Sequence, residues 1–484
     1  VAEVSALAAD PARLPELVRW EHLADEYIAS GAGFSAMCAY RAGLGPEALT
    51  DVASVHPLAH APDGIPSFRV FFDGNRIALA GSVDALEADR LAQVLAASPV
   101  GPPVAVLDLG HLEFADVAAC RVLARWAREP GHVLGERGGH GLLAPAAARV
   151  ASAGAGRGRP GDLHRVARMT AAVAEALPTD GFEHEALFYR SDADFLAGLL
   201  PFVRDGLRRD EAVIVAEPRP RLELLRDALG DDASAVEFLD MAEIGANPAR
   251  IIAVWAAALE KTTGTGRRLR GVGEPAYAGR REIELIECQL HELLLNHAFD
   301  GGTEWRLLCP YDVQALPPSV SQGALHTHPV SCTPAGRRPS DTYTAGGHLD
   351  AFAAPLPAPA GSVLRGAYGA DDVPATRRTV AQYARSVGLA REQVEILELA
   401  ASELATNSVR HGGGTGTLAM WLEAGAAVVE FSDTGEIHDP LSGRLTPTLD
   451  QEGGRGLFLV NQLCDLVQVR SSGRGTTVRI TTWL

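Results

Sequence analysis

Apolar residues return at three- and four-residue steps through Val394, Leu397, Ala401 and Leu404, which predicts a helix with one buried stripe. Gly412-Gly413-Gly414 stops it. Beyond that stop, Leu418 to Leu422 and Val428 to Ser432 read as two strands around the turn at Glu423-Ala-Gly-Ala, Leu457 to Leu463 reads as a helix, and Val478-Arg-Ile480 ends a late hairpin strand. Further upstream, Asp194 to Leu207 is amphipathic, Glu211 to Ala216 is a short apolar strand, Arg219 to Leu229 is helical and Val236 to Leu239 is strand-like again. This repeated β-α order predicts a parallel sheet flanked by helices. Nearer the start, Phe68 to Phe72 and Arg76 to Leu79 are expected strands, Ala85 to Ala97 a helix, Val104 to Leu109 a buried strand, and Val117 to Ala127 a second helix. Two stretches lack either periodicity and read as linkers: Ala151 to Gly161, rich in Gly, Ala and Arg, and Thr333 to Ala360, rich in Pro, Gly and Thr.

The 484 residues are enough for about three domains with their own cores, and 47% apolar with 21% charged content is ordinary for globular protein. A net charge of −18 argues against nucleic acid as a direct partner. Lys261 is the only lysine, so no Gly-x-x-x-x-Gly-Lys phosphate loop exists. The cysteines at 38, 120, 288, 309, 332 and 464 include no Cys-x-x-Cys pair, so spacing supplies neither a zinc frame nor a disulfide framework. No apolar stretch reaches membrane-spanning length, and the expectation is a soluble, cytoplasmic protein with no membrane partner.

The densest candidate chemistry lies in the last hundred residues. Glu403 and Asn407 are four apart on the expected helix, so both project from one face toward a single metal–phosphate group. Asp433 and Gly435 fall where the second strand ends, and a carboxylate there can accept a hydrogen bond from an exocyclic amine such as that of adenine. The glycines at 453, 454 and 456 give a pliable loop entering a helix whose first amides suit phosphate, and Thr476 closes the pocket from the hairpin.

In order and spacing, Glu403-Leu-Ala-Thr-Asn407-Ser-Val-Arg410-His411, Asp433-Thr-Gly435, Gly453-Gly-Arg-Gly456-Leu457 and Gly473-Arg-Gly475-Thr476 resemble the ATP-binding domain shared by histidine kinases, gyrase, Hsp90 and the bacterial anti-sigma serine kinases. The resemblance implies a C-terminal α/β sandwich of the GHKL type, with ATP and Mg2+ as cofactors. It implies Glu403 as general base, Asn407 as the Mg2+ ligand, Asp433 as the adenine reader, and Arg410, His411, Gly435, Gly454, Arg455, Gly456, Leu457 and Thr476 as nucleotide contacts. No acceptor histidine box precedes Glu403, which speaks against an ordinary histidine kinase. The run Gly454-Arg-Gly-Leu-Phe-Leu-Val460 looks like the anti-sigma branch of the RsbW type, in a domain set similar to RsbA-family regulators. That branch binds a sigma factor and phosphorylates a serine or threonine on a STAS-type antagonist, and its members often pair as homodimers through the ATP domain.

The middle block resembles the MEDS sensory domain, a Rossmann-like relative of RecA-type ATPases, in His184-Glu-Ala-Leu-Phe-Tyr189, Gly206 to Val213, Asn247-Pro-Ala-Arg250, and Cys309-Pro-Tyr311 leading to His326-Thr-His-Pro329. After the strand taken as the first of its core, Glu217-Pro-Arg-Pro-Arg221 offers neither glycine nor lysine to a phosphate, so a small-molecule ligand or docked partner is expected in place of a nucleotide. His184, Tyr189, His326 and His328 are a candidate ligand or metal cluster, against the plainer reading that they are structural. The first sixty residues hold a partial copy of this block. Glu16 to His22, Met37-Cys-Ala-Tyr40 and His56-Pro57 parallel Glu284 to Leu290, Leu308-Cys-Pro-Tyr311 and His328-Pro329. Residues 66 to 150 resemble the STAS fold of anti-sigma antagonists, but Asp116-Val117-Ala118-Ala119 stands where that family carries its phosphorylated hydroxyl. Asp116 is expected to cap the following helix.

The expected whole is a multidomain α/β and α+β protein. Its parts are a truncated MEDS-like tail (1–62), a STAS-like α/β domain (66–150), a linker (151–180), a MEDS domain (181–332), a linker (333–360) and the ATP-binding domain (361–484). Its expected role is an anti-sigma regulator with Ser/Thr kinase chemistry. The alternatives are a non-catalytic ATP-dependent binding protein and an atypical histidine kinase.

Overall fold

The computed structural model describes residues 2–3, 5–29, 38–41, 44–58, 66–73, 76–98, 105–135, 181–333, 336–447 and 454–484, and the chain divides into two compact units, Val1–Gly161 and Asp162–Leu484. The stretch 136–180, which includes the first expected linker, and Gly453 of the glycine loop lie outside the described residues.

In the first unit a short parallel pair, β1 (Ala2–Glu3) with β2 (Cys38–Ala39), accompanies helices α1 (Leu14–Ala29) and α2 (Pro46–Ala53). These cannot bury their apolar faces on two strands alone. The neighbouring sheet supplies the missing surface. It runs β3 (Phe68–Asp73), β4 (Arg76–Val83), β5 (Ala105–Ala115), β6 (His132–Gly135) in that order, with α3 (Ala88–Ala97) and α4 (Val117–Trp126) between its strands. Leu17, Val18, Val52 and Val55 share one core with Phe68, Val70, Leu79 and Leu107, and His22 Nε2 meets the Val70 carbonyl at 2.8 Å. Asp116 caps α4, its Oδ1 accepting from the Ala119 amide at 3.0 Å.

The second unit contains two sheets. The seven-stranded one has the order β13-β12-β7-β11-β10-β8-β9, from β7 (Phe182–Tyr189), β8 (Ala212–Glu217), β9 (Val236–Asp240), β10 (Leu269–Gly273), β11 (Trp305–Asp312), β12 (Val330–Thr333) and β13 (Gly336–Pro339). All neighbours are parallel except the β12–β13 hairpin, as the alternating pattern predicts. Its helices include α5 (Asp192–Arg208), α6 (Arg219–Leu229), α7 (Ile251–Thr263), α8 (Glu282–Phe299) and α9 (Pro318–Thr327). The first strand of the sheet is Phe182–Tyr189 and not the one ending at Glu217, and the turn after it, Arg190-Ser191, likewise has neither glycine nor lysine.

The stretch expected as a linker over 333–360 is partly folded. Arg337 on β13 pairs with Glu183 and Glu185, α10 (His348–Ala353) buries Phe352, and the Pro357 carbonyl accepts from Arg479 at 2.9 Å. Its polar, proline-rich composition concealed a strand held by ion pairs.

The second sheet is antiparallel, in the order β14-β15-β16-β18-β17, from β14 (Leu364–Tyr368), β15 (Gly416–Glu423), β16 (Ala426–Asp433), β17 (Leu466–Ser472) and β18 (Gly475–Trp483). Helices α11 (Val373–Ser386), α12 (Arg391–His411) and α13 (Arg455–Leu463) complete this α/β layer pair. Across the unit, the amides and guanidinia of Asn247 and Arg250 reach the last turn of α13. Asn247 Nδ2 and Arg250 Nε donate to the Asn461 carbonyl at 2.9 and 3.0 Å, and Arg250 Nη2 donates to that of Cys464 at 3.1 Å. A cation there answers the unpaired carbonyls of a helix C-terminus.

Candidate nucleotide-binding site

Helix α12 extends from Arg391 to His411, and its buried stripe of Val394, Leu397, Ala401 and Leu404 seats it on the sheet. That seating turns Glu403 inward, 7% exposed, and leaves Asn407 one turn on and half-buried. The N-terminus of α13 crosses directly above. A Cβ on Gly456 would lie 2.3 Å from Glu403 Oε2, so a larger residue there would have to push the Glu403 carboxylate aside. Gly454 precedes α13 with φ 77°, the left-handed turn that a glycine adopts without strain, and Leu457 is buried beneath it.

Asp433 ends β16 and is held by two donors. Ser408 Oγ donates to its Oδ2 at 2.7 Å and the Gly435 amide to its Oδ1 at 2.9 Å. Ser408 in turn accepts from the Tyr368 hydroxyl at 2.9 Å. Burial pushes the Tyr368 phenol up to about 12, so it remains a donor at neutral pH. Gly435 lies against the end of α12, where a Cβ would meet the His411 carbonyl at 2.5 Å. Thr476 Oγ1 donates to the Gly435 carbonyl at 2.8 Å and shares a 2.7 Å hydrogen bond with Ser471, tying β18 to this turn.

The fold therefore brings Glu403 against Gly456 and draws Asp433, Gly435 and Thr476 into one hydrogen-bonded corner. Arg410 and His411 are exposed at the end of α12, Gly454 is exposed, and Arg455 is half-buried in the first turn of α13. Sequence reasoning passed over Tyr368 and Ser408. Ser408 was visible as the neighbour of Asn407 on the helix, whereas nothing local marks Tyr368, which arrives from a separate strand. A cavity of about 530 Å³ opens beside the corner, lined by Tyr368, Asp372, Thr417, Ser432, Asp433 and Thr434.

The donor set suits a magnesium nucleotide. Asp433 keeps lone pairs beyond the two hydrogen bonds recorded for it, Asn407 offers a hard amide oxygen, and the glycine-opened N-terminus of α13 presents backbone amides of the kind that hold phosphate.

These features define a GHKL-type ATP-binding domain joined to a Rossmann-like sensory module. Residues 369–482 match the model of the histidine kinase-like ATPase domain, and residues 183–329 match that of MEDS, the methanogen/methylotroph, DcmR sensory domain. The serine-protein kinase RsbW of Halalkalibacterium halodurans is 31% identical over 121 residues, 22% of this chain and 74% of that protein. The serine-protein kinase RsbW of Bacillus licheniformis is 33% identical over 123 residues, covering 22% and 76%. A crystal structure of the RsbU and RsbW domains of a Mycobacterium tuberculosis protein is similar at 18% identity with a TM-score of 0.20, over 26% of this chain and only a third (33%) of the other. The chain belongs to the RsbW family of histidine-kinase-like ATPases and carries a MEDS domain. Among the described residues, no helix is long and apolar enough to cross a membrane.

Proposed function

We propose that the chain is a partner-switching regulator. Its C-terminal domain binds a sigma factor and transfers the γ-phosphoryl group of ATP to a serine or threonine of an antagonist protein. The observation that supports this reading is the stacking of Gly456 on Glu403, one turn from Asn407 on the same helix face. In it, Glu403 takes the proton of the substrate hydroxyl, and the Asn407 amide holds the metal that neutralises the phosphates. Asp433, oriented by Ser408 and Gly435, accepts from the adenine amine. The Thr476–Gly435 hydrogen bond keeps that corner closed.

The first unit acts as a docking module, because Ala118 and Ala119 offer no hydroxyl at the helix start capped by Asp116. A MEDS signal has a direct route to the nucleotide. Asn247 and Arg250 hold one end of α13 while Gly454 to Gly456 form the other.

Burial of Glu403 under α13 favours a second reading, in which nucleotide only shapes a clamp for the partner. Incubating the full chain with γ-labelled ATP and a captured STAS-type protein separates the two. Label on a serine or threonine that disappears with Glu403→Gln supports transfer. Capture that depends on ATP without any label supports the clamp.

A further inference from the structure

The MEDS sheet gathers four side chains from distant points of the chain. His184 comes from β7, Glu292 from α8, Cys309 from β11 and His328 from the turn after α9, and all four are at most 2% exposed. Sequence reasoning singled out His184 and His328 with Tyr189 and His326. The structure keeps the first two, sends the Tyr189 hydroxyl to Glu274 and His326 to the Thr342 carbonyl, and adds Glu292 and Cys309.

We infer that His184, Glu292, Cys309 and His328 form a binding site for a late first-row divalent metal ion, zinc foremost. His328 Nδ1 lies 2.9 Å from the Ala324 carbonyl, which can only accept, and 2.8 Å from Thr327 Oγ1, whose own proton goes to that carbonyl at 3.2 Å, so Nδ1 carries the proton. His184 Nδ1 lies 3.0 Å from Asn296 Oδ1, and the Asn296 amide nitrogen is committed to the Thr327 carbonyl at 2.7 Å. Both rings thus turn unprotonated Nε2 atoms to the same carboxylate oxygen, Glu292 Oε2, at 3.0 and 3.5 Å, and His328 Nε2 has no hydrogen-bond partner. Outer-shell acceptors that fix Nδ1–H in this way are the usual support of a metal-ligating histidine. The Tyr311 hydroxyl supports the carboxylate likewise, donating to Glu292 Oε1 at 3.1 Å.

The spacing fits as well. Bonds of about 2.0 to 2.3 Å to a tetrahedral ion place ligand atoms about 3.3 to 3.8 Å apart. Three separations fall in that range, 3.3 Å (His184–Cys309), 3.5 Å (His328–Glu292) and 3.7 Å (Cys309–Glu292), and His184–Glu292 at 3.0 Å would open slightly around an ion. Two imidazoles, a thiolate and a carboxylate make a borderline-soft set that suits zinc and its neighbours over magnesium or calcium.

An independent observation comes from the first unit, considered by itself. There Glu21, Cys38 and His56 converge in the same manner. His56 Nε2 is 3.1 Å from Glu21 Oε2, Cys38 Sγ is 3.3 Å from the same oxygen, and the Tyr40 hydroxyl donates to Oε1. His56 Nδ1 meets the Val52 carbonyl, four residues back, at 2.8 Å, as His328 meets Ala324. Glu to Cys is 17 residues in both copies, Cys to Tyr is 2 in both, and Cys to His is 18 and 19. The repeat read from the sequence aligned Glu16 with Glu284. The structural match pairs Glu21 with Glu292, three residues out of that register, nearly one helical turn. Two copies within one chain retain the same Glu, Cys, Tyr and His in space, which a set of merely buried polar residues has no reason to do.

The test uses the untagged full chain, stripped with a chelator and titrated with Co2+ alone. The expected result is a saturable thiolate-to-cobalt charge-transfer absorption, displaced by Zn2+. Cys309→Ser removes the contribution of the four-residue site, and Cys38→Ser removes any from the three-residue one. His328→Gln weakens binding at least tenfold, since even outer-shell changes cost about 10- to 100-fold. Zn2+ should also raise the melting temperature of the wild type and not of Cys309→Ser, a readout that needs only the wild type should the variant fail to fold. Absence of the charge-transfer band in folded wild-type protein would overturn the proposal and leave a proton-filled network, with Glu292 and Cys309 donating to the two imidazoles. A band that survives the Cys38→Ser, Cys309→Ser double variant would overturn it too, by placing the metal elsewhere.

Discussion

Glu287 of α8 and Arg470 of β17 form an ion pair between the MEDS domain and the ATP-binding domain, at 2.5 Å, with side chains 1% and 8% exposed. Gln468 Nε2 donates to the same carboxylate at 3.0 Å, and burial with the nearby Arg470 lowers the Arg444 guanidinium to about 10 while Glu287 opposes that shift. One carboxylate therefore answers a cluster of buried donors. Glu287→Ala leaves those charges uncompensated and is expected to cost about 3–5 kcal/mol, as removal of one partner of a buried pair does. Urea unfolding of the wild type, each single variant and the Glu287→Ala, Arg470→Ala pair measures this. A double variant no less stable than Glu287→Ala alone would show that the cost is the stranded charge.

A second buried contact makes the MEDS domain sensitive to pH. Glu217 and Glu274 are at most 1% exposed, and their carboxyls lie close enough to share a hydrogen bond when one is protonated. Burial raises both carboxyls, Glu274 to about 7, and their mutual repulsion adds to the rise at Glu217. Their folded values lie above the unfolded value of 4.5, so the native state binds more protons than the unfolded state in that interval. The stability they contribute is present below pH 4.5 and is lost as pH rises toward about 7. Glu217→Gln should flatten this decline and raise the melting temperature at neutral pH. An unchanged pH profile in that variant would assign the decline to other groups.

Helix α12, the strands flanking Asp433 and the β-α alternation of the MEDS sheet were legible because each has a clean period and a glycine or polar stop. The metal cluster was half legible. His184 and His328 stood out as histidines in recognisable motifs, but Glu292 sits in a helix full of carboxylates, Glu282, Glu284 and Glu287 among them, and only the fold says which of the buried ones meets the two histidines. Strand β13 was hidden for a related reason: its residues Gly336-Arg-Arg-Pro339 are exposed, and its pairing rests on Glu183 and Glu185, some 150 residues away. Arg250 closes the Asn247-Pro-Ala-Arg250 motif, but its role, like that of Glu287, exists only once the two domains are docked.

The chain of hydrogen bonds from Tyr368 through Ser408 to Asp433 predicts an order of effects. Tyr368→Phe removes one neutral hydrogen bond and leaves Ser408 donating to the carboxylate, a loss of about 1 kcal/mol. Ser408→Ala takes a donor from Asp433 and strands the buried tyrosine hydroxyl, which costs about 1–3 kcal/mol. ATP affinity should fall further in Ser408→Ala than in Tyr368→Phe. Equal affinities in a titration of the two proteins would mean that Asp433 is oriented by the Gly435 amide alone.

The approach of α13 to α12 gives the sharpest test of the nucleotide site. Gly456→Ala places a methyl 2.3 Å from Glu403 Oε2, and because the far end of α13 is held by the Asn461–Arg250 contact, the first turn of α13 must lift or Glu403 must rotate. The first movement displaces the amides that would hold phosphate and the second turns the Glu403 carboxylate toward the metal–phosphate position, so Mg-ATP affinity is expected to fall about tenfold or more, a loss of at least about 1.4 kcal/mol. Asn407→Ala should reduce Mg-ATP affinity to a similar degree with little change in unfolding midpoint, since Asn407 is only half-buried. Glu403→Gln keeps the shape under Gly456 and removes only the base, so binding should persist while any transfer is lost. Calorimetric titration of the three variants with Mg-ATP distinguishes these outcomes, and wild-type affinity in both Gly456→Ala and Asn407→Ala would move the nucleotide away from the α12–α13 crossing.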